Sequence, residues 1–145
     1  MFMTAITTEK IVEIHDYIIE KLGGVSGILN SGTIDFLVFE LDKGSDNFEK
    51  AAFVLNGIIT RHPFMDGHKR TAFQVADIIL RDEGYHIHTD KIQIEKFLLK
   101  IAKYECEIDD INKRVKKKMH TDQKESTVTI EPNVPLIHDY DAYFL

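Results

Sequence analysis

The 145-residue sequence predicts an all-α fold of six helices, and three features indicate it. Apolar residues recur at the i, i+3, i+4, i+7 spacing of a helix face along most of the chain. Glycine, proline and capping residues separate these segments at helix-like intervals. Strand-like alternation of polar and apolar residues is confined to short stretches, so no sheet is predicted.

The first predicted helix begins at Thr7 and Thr8, which supply a threonine cap, and ends at Gly23-Gly24. His15 falls on its apolar face, and we interpret it as a core histidine with one hydrogen bond rather than as a catalytic group. Glycine dominates residues 23–32, which predicts a loop. A short helix is expected over residues 33–41.

The two central helices are joined by the most unusual loop of the chain. Helical spacing runs through residues 48–59 and again through 72–80. Pro63 disfavours the α conformation in the residue before it, so we expect the first central helix to end just before an extended His62. The second is predicted to begin near His68 or the residue after it.

Two further helices follow the central pair. Residues 83–85 close the second central helix, Thr89-Asp90 caps the fifth helix, and the sixth runs through residues 108–119. His86 and His88 form an H-x-H pair, but no third ligand lies nearby in the sequence. We therefore interpret the pair as part of a connector.

The chemistry concentrates in residues 62–72. The unpaired N–H groups at the start of the second central helix attract anions, and Lys69 and Arg70 add positive charge beside them. Asp66 lies just ahead of that helix and can hold Mg²⁺, the usual companion of nucleotide phosphates. His62 can take a proton from a hydroxyl at neutral pH. The loop is therefore predicted to bind phosphate.

This stretch resembles the signature of the Fic/Doc family, H-x-F-x-(D/E)-G-N-(G/K)-R. It departs from the signature at His68, where the family has asparagine. Lys69 in place of a second glycine, and Phe73 where Fic enzymes usually carry a second arginine, resemble the death-on-curing (Doc) branch. The resemblance covers roughly residues 5–119. The matching residues are His62, Phe64, Asp66, Gly67, Lys69 and Arg70.

The resemblance implies a compact six-helix catalytic domain over residues 1–119, with a short flap before the central helices and an extra tail over 120–145. It implies a toxin that uses ATP and Mg²⁺ to move a phosphate, or AMP, to a hydroxyl of a target protein such as a translation elongation factor. His62 is then the catalytic base, Asp66 the Mg²⁺ ligand and Phe64 a buried anchor. The implied phosphate-binding residues are Gly67, His68, Lys69 and Arg70.

Three alternatives stay open. The chain is a weak or inactive nucleotide-binding regulatory module if His68 has abolished turnover. It holds a transition metal if His62, Asp66 and His68 converge. Residues 25–31 resemble the flap that pins a target segment beside the loop as an added strand, but a plain connector fits equally well.

At an ordinary histidine pKa, His68 would make nucleotide binding stronger as pH falls from about 8 to about 6.

Composition limits location and partners. A single cysteine, Cys106, and the lack of a signal peptide or apolar span predict a cytoplasmic protein without a membrane. The net charge of -6 argues against direct nucleic-acid binding, and we interpret the basic run 113–118 as a solvated face. The acidic, aromatic tail is expected to dock on its own domain or on another copy, which would give a homo-oligomer.

The activity is expected to be controlled by a separate protein rather than by a segment of this chain. Self-restraining Fic proteins resemble one another in a helix with the motif (S/T)-x-x-x-E-(G/N). The nearest match, residues 127–131, precedes Pro132 and has no helical spacing. A separate antitoxin is therefore predicted, with inhibition by the tail in cis as the competing idea.

Overall fold

The computed structural model describes residues 6–44, 46–85, 91–106, 108 and 110–113. Among them, the one β pairing is an isolated antiparallel bridge between Ile28 and Phe64. Residues 108 and 110–113 are helical, where the sixth helix is predicted. The all-α prediction is confirmed. The other helices are α1 (Thr8–Leu22), α2 (Ser31–Leu41), α3 (Asn47–Arg61), α4 (His68–Arg81) and α5 (Lys91–Ala102).

Helix α4 is the centre of the fold. Every residue from Thr71 to Leu80 is buried, as expected of a helix surrounded by others. Helices α1, α3 and α5 pack against it, and α2 packs against α1 and α3. The approach of α2 to α3 depends on Gly57, since a Cβ there would lie 2.5 Å from Leu37 Cδ2. The core therefore holds the first turn of α4, where the unusual loop ends, in a rigid frame.

Side-chain caps set the start of the first three helices. Thr7 accepts a hydrogen bond from the Lys10 amide at 3.0 Å, as predicted. Helix α2 begins at Ser31, two residues before its predicted start, because Asn30 Oδ1 accepts a hydrogen bond from the Thr33 amide at 3.2 Å. The glycine-rich loop is therefore limited to residues 23–30.

His62 differs from its predicted conformation. Its φ of 50° and ψ of 60° place it in the left-handed region, not in an extended one. Pro63 disfavours the right-handed α region for His62, and a left-handed residue is a common end for a helix. Helix α3 thus ends at a left-handed His62, from which the chain enters the loop to α4.

No helix in the part of the chain that the structure describes is long and apolar enough to cross a membrane. The predictions for His86, His88, residues 114–118 and the tail 120–145 lie outside the described residues. The division at residue 119 stays a prediction.

Candidate active site

The loop between α3 and α4 opens into a cavity of about 670 Å³, within the range of about 300–1,000 Å³ that is usual for small-molecule sites. One side is polar and comes from the loop and the first turn of α4. The other side is largely apolar and comes from α3 and α5. The lining residues from the loop and the first turn of α4 are His62, Asp66, Gly67, His68, Lys69 and Arg70, and those from α3 and α5 are Ile59, Glu95, Leu98, Leu99 and Ala102. The structure thus brings the six residues that were predicted for catalysis, metal binding and phosphate binding to one cavity.

Phe64 fastens the loop to the core. Its side chain is completely buried. Its ring stacks on that of His15 in α1, with centroids 3.8 Å apart and planes 5° from parallel. Its backbone forms the bridge with Ile28. Phe64 therefore connects α1, the glycine-rich loop and the polar side of the cavity.

The glycine-rich loop runs beside the loop between α3 and α4 (residues 62–67), which we call the cavity loop. The Met65 amide donates to the Gly27 carbonyl at 3.0 Å, and the Leu29 amide donates to the Pro63 carbonyl at 2.8 Å. Val25 and Leu29 are more than half exposed. Residues 23–30 thus form one edge of the site, while a role in pinning a target stays a prediction.

Asp66 is held by two backbone amides. Its Oδ1 accepts a hydrogen bond from the Gly67 amide at 2.8 Å, and its Oδ2 accepts one from the Val25 amide at 3.1 Å. These bonds, that from Val25 first, lower the pKa of the Asp66 carboxyl, and the charge of Arg70 adds to the effect against the opposing influence of burial. The group is therefore an ionised carboxylate that faces the cavity.

Asp66 suits Mg²⁺ as a ligand. Each carboxylate oxygen keeps acceptor capacity beyond its one amide bond. Mg²⁺ is usually bound through one or two carboxylates together with substrate phosphates and water. When bound, such an ion would neutralise phosphate charge.

The unpaired amides at the start of α4 begin one residue later than expected. The Gly67 amide is occupied by Asp66, and the first intrahelical bond of α4 joins the Thr71 amide to the Gly67 carbonyl at 3.0 Å. The amides of His68, Lys69 and Arg70 therefore have no intrahelical acceptor and are the ones available to phosphate. Gly67 has a positive φ of 80°, so its contribution is the turn that aims these amides.

The two cations differ in their setting. The Lys69 side chain lies exposed at the cavity. Arg70 is half-buried, and its Nη2 donates to the Gly23 carbonyl at 2.9 Å. A guanidinium has five N–H donors, so Arg70 can hold the glycine-rich loop and still bind a phosphate.

His62 and His68 meet at the mouth of the cavity. Their rings lie edge to face with centroids 4.6 Å apart, and His62 is exposed. Burial first, and then the charges of His62 and His15, lower the pKa of His68 to about 4 against the opposing charge of Asp66. Nδ1 of His68 is buried without a hydrogen-bond partner among the described residues. His68 is therefore a neutral imidazole at physiological pH.

This low pKa corrects one expectation. We expected His68 to make nucleotide binding stronger as pH falls from about 8 to about 6, and this expectation assumed an ordinary histidine pKa. The pKa of about 4 moves its protonation below that window in the ligand-free protein. The neutral ring can still donate one N–H, as the amide of the family's asparagine does.

The three-ligand metal alternative has no structural support. No group of three or more histidine, cysteine, aspartate or glutamate side chains that could hold a metal ion occurs among the described residues.

Sequence reasoning missed the far side of the cavity and the contact with α1. Steps of three or four residues along α5 lead from Glu95 to Leu98 and Leu99, and from these to Ala102. The four residues therefore share one side of α5. Nothing local shows that this side meets the loop. No sequence signal distinguishes these residues, since the 42% exposure of Leu99 follows only from the fold and single exposed apolar residues are normal on a protein surface.

The fold and the site define a helical domain that presents a helix N-terminus, a carboxylate and a histidine to one nucleotide-sized cavity. The model of the Fic/DOC family matches residues 5–80, slightly more than half of the chain. The chain is 29% identical over 91 residues to "Protein kinase doc" of Escherichia phage P1, which covers 59% of this chain and 72% of that protein. The chain therefore belongs to the Fic/DOC family, and its similarity to the phage protein supports the Doc branch.

Proposed function

We propose that the protein is a Doc-like toxin that transfers the γ-phosphate of ATP to a hydroxyl side chain of a target protein. The observation that carries this proposal is the convergence of His62, Asp66 and the free amides of α4 on one cavity. Phosphoryl transfer needs mainly positioning and charge stabilisation, which these groups supply. The similarity to the phage P1 kinase supports the same reaction class.

The polar side of the cavity would hold the triphosphate. The amides of residues 68–70 and the side chains of Lys69 and Arg70 would bind phosphate oxygens, and Asp66 would hold Mg²⁺. The apolar side, formed by α5 and Ile59, offers a surface for the nucleoside. A cavity lined by both charged groups and apolar side chains matches a nucleotide.

His62 would act as the general base. It would accept the proton of the target hydroxyl while the hydroxyl oxygen forms a bond to the γ-phosphorus. The bond from that phosphorus to the bridging oxygen breaks, and ADP leaves. His62 is exposed at the cavity mouth, where a protein hydroxyl can reach it.

Transfer of a phosphate is favoured here over transfer of AMP. Phe73, at the place of the second arginine of Fic enzymes, is 2% exposed and packs in the core. It therefore adds no cation to the cavity. Lys69, in place of the second glycine, supports the same choice. A catalytically inactive module is the less favoured function, because neutral His68 keeps an N–H that can serve a phosphate.

Partners follow from the proposed reaction. A target that carries the modified hydroxyl, such as a translation elongation factor, and a separate antitoxin are expected by analogy with Doc. The antitoxin would lay an amphipathic segment near the cavity.

The test is the mass of a purified elongation factor after incubation with the protein, ATP and Mg²⁺. We expect a gain of about 80 Da for a phosphate, whereas AMP would add about 329 Da. His62→Ala is the matched control and should reduce the modified fraction by about 10²- to 10⁴-fold. A gain of 329 Da would refute the kinase assignment, and equal modification by His62→Ala would refute the base.

A further inference from the structure

We propose that His15 is a positioning residue that supports the cavity loop from within the core and so sets the direction of the Asp66 carboxylate. Its value for nucleotide binding rests on the proposed function, while its effect on the loop does not. His15 lies on α1, outside the loop that carries the phosphate chemistry.

The geometry joins His15 to three residues of the loop. Its Nε2 lies 2.7 Å from the carbonyl oxygen of Asp66. Its ring stacks on Phe64 at 3.8 Å between centroids. A Cβ on Gly67 would come within 3.6 Å of its Cδ2. The side chain is fully buried, so packing fixes it in this place.

The bond to Asp66 determines which ring nitrogen carries hydrogen. A carbonyl oxygen only accepts, so Nε2 of His15 must be the donor. Nδ1 has no hydrogen-bond partner among the described residues, and the nearest carboxylate oxygen, Oδ1 of Asp16, is 3.5 Å away. The ring therefore carries a hydrogen on Nε2.

This bond acts on the carboxylate through the backbone. With the Asp66 carbonyl held by His15, the peptide that joins Asp66 to Gly67 has a fixed orientation. The Gly67 amide belongs to that peptide and donates to Oδ1 of Asp66. The other carboxylate oxygen accepts from Val25. Loss of the His15 donor would release this peptide and loosen both bonds to the carboxylate.

Two substitutions separate the donor from the packing. His15→Gln keeps an N–H₂ group that can donate at the position of Nε2, whereas His15→Phe keeps a ring that can stack on Phe64 and has no donor. Ile11→Val is the control for the loss of buried volume alone. Ile11 lies one turn before His15 on the same buried face of α1.

The primary measurement is hydrogen exchange of the Val25 and Gly67 amides by NMR in the nucleotide-free protein. We expect His15→Phe to speed exchange of both amides by at least about tenfold, which corresponds to a loss of about 1.4 kcal/mol. His15→Gln and Ile11→Val should stay within about threefold of wild type, a change of less than about 0.7 kcal/mol. Equal acceleration in His15→Phe and His15→Gln would overturn the role of the donor.

A second measurement needs no variant. The ¹⁵N shifts of the His15 ring in the wild-type protein show which ring nitrogens carry hydrogen, and we expect hydrogen on Nε2. Hydrogen on Nδ1 alone would overturn the proposal, since Nε2 could not then donate to Asp66.

Titration with Mg·ATP then separates the two proposals. We expect His15→Phe to bind at least about tenfold more weakly than His15→Gln. A wild-type protein that binds no Mg·ATP would refute the proposed function, whereas the amide exchange would still decide the role of His15. Normal binding by His15→Phe with fast-exchanging amides would refute the importance of His15 for the site.

Discussion

Gly24→Ala should disable the site from outside the cavity loop. The added Cβ would lie 2.8 Å from Oδ2 of Asp66, 2.9 Å from Cδ1 of Ile19 and 3.2 Å from Nη2 of Arg70. Since ordinary contacts begin near 3.4 Å, the carboxylate must retreat by roughly half an ångström. The Val25 and Gly67 amides hold that carboxylate on both oxygens, so the retreat would strain or break their bonds.

The magnitude follows from two separate effects. The φ of +127° at Gly24 is unfavourable for alanine, which should lower the free energy of unfolding by about 1–3 kcal/mol. Displacement of a catalytic group by about 1 Å can cost about 100-fold in rate. For a shift of about half that size we expect Mg·ATP binding or transfer to fall by about tenfold or more.

Gly84→Ala is the matched control. Gly84 also has a positive φ, +84°, but nothing lies within 4 Å of its added Cβ. It should share the loss of stability, measured by urea unfolding, and keep the affinity for Mg·ATP, measured by titration calorimetry. Affinity of Gly24→Ala within about threefold of that of Gly84→Ala, a difference of less than about 0.7 kcal/mol, would refute the contact with Asp66.

The remaining predictions concern the anchor, the motif histidine and the tail. Phe64→Ala should lower the free energy of unfolding by about 3–5 kcal/mol in urea, because its ring is fully buried; a loss below about 1 kcal/mol would show that the loop is not anchored there. The folded pKa of His68 is about 4 against an ordinary 6.5, so the unfolded chain binds its proton first as pH falls. The stability contributed by neutral His68 is thus present above pH 6.5 and is lost toward pH 4. His68→Asn should make urea stability less dependent on pH across that window and should keep or raise activity; an unchanged slope would contradict the low pKa. Removal of residues 121–145 should leave transfer activity within about threefold, a barrier change of less than about 0.7 kcal/mol, whereas a large rise would contradict control by a separate antitoxin.

Local chemistry explains what the sequence predicts well. The cap at Thr7 bonds to the amide of Lys10 three residues on, so a short segment contains all the information that this helix start needs. The start of α4 at His68 is equally local, since Gly67 supplies the left-handed turn before it. The residues of this loop are consecutive, and they necessarily arrive at one place.

Long-range packing explains what the sequence does not predict. The donor on His15 meets the Asp66 carbonyl across 51 residues, and no local pattern distinguishes it from any other core histidine. The pKa of His68 depends on burial, which only the packed fold determines. The conformation of His62 was mispredicted because Pro63 only disfavours the right-handed α region for His62, and His62 ends α3 in the left-handed region instead of an extended one.

Titration calorimetry with ATP in the presence and absence of Mg²⁺ tests the central claim most directly. We predict that the wild-type protein binds ATP more tightly with Mg²⁺, that Asp66→Asn loses this Mg²⁺ dependence, and that His62→Ala binds like wild type, since a base acts only in the transition state. Absence of binding by the wild-type protein, or an unchanged response to Mg²⁺ in Asp66→Asn, would contradict the assignment of the cavity as a Mg·ATP site.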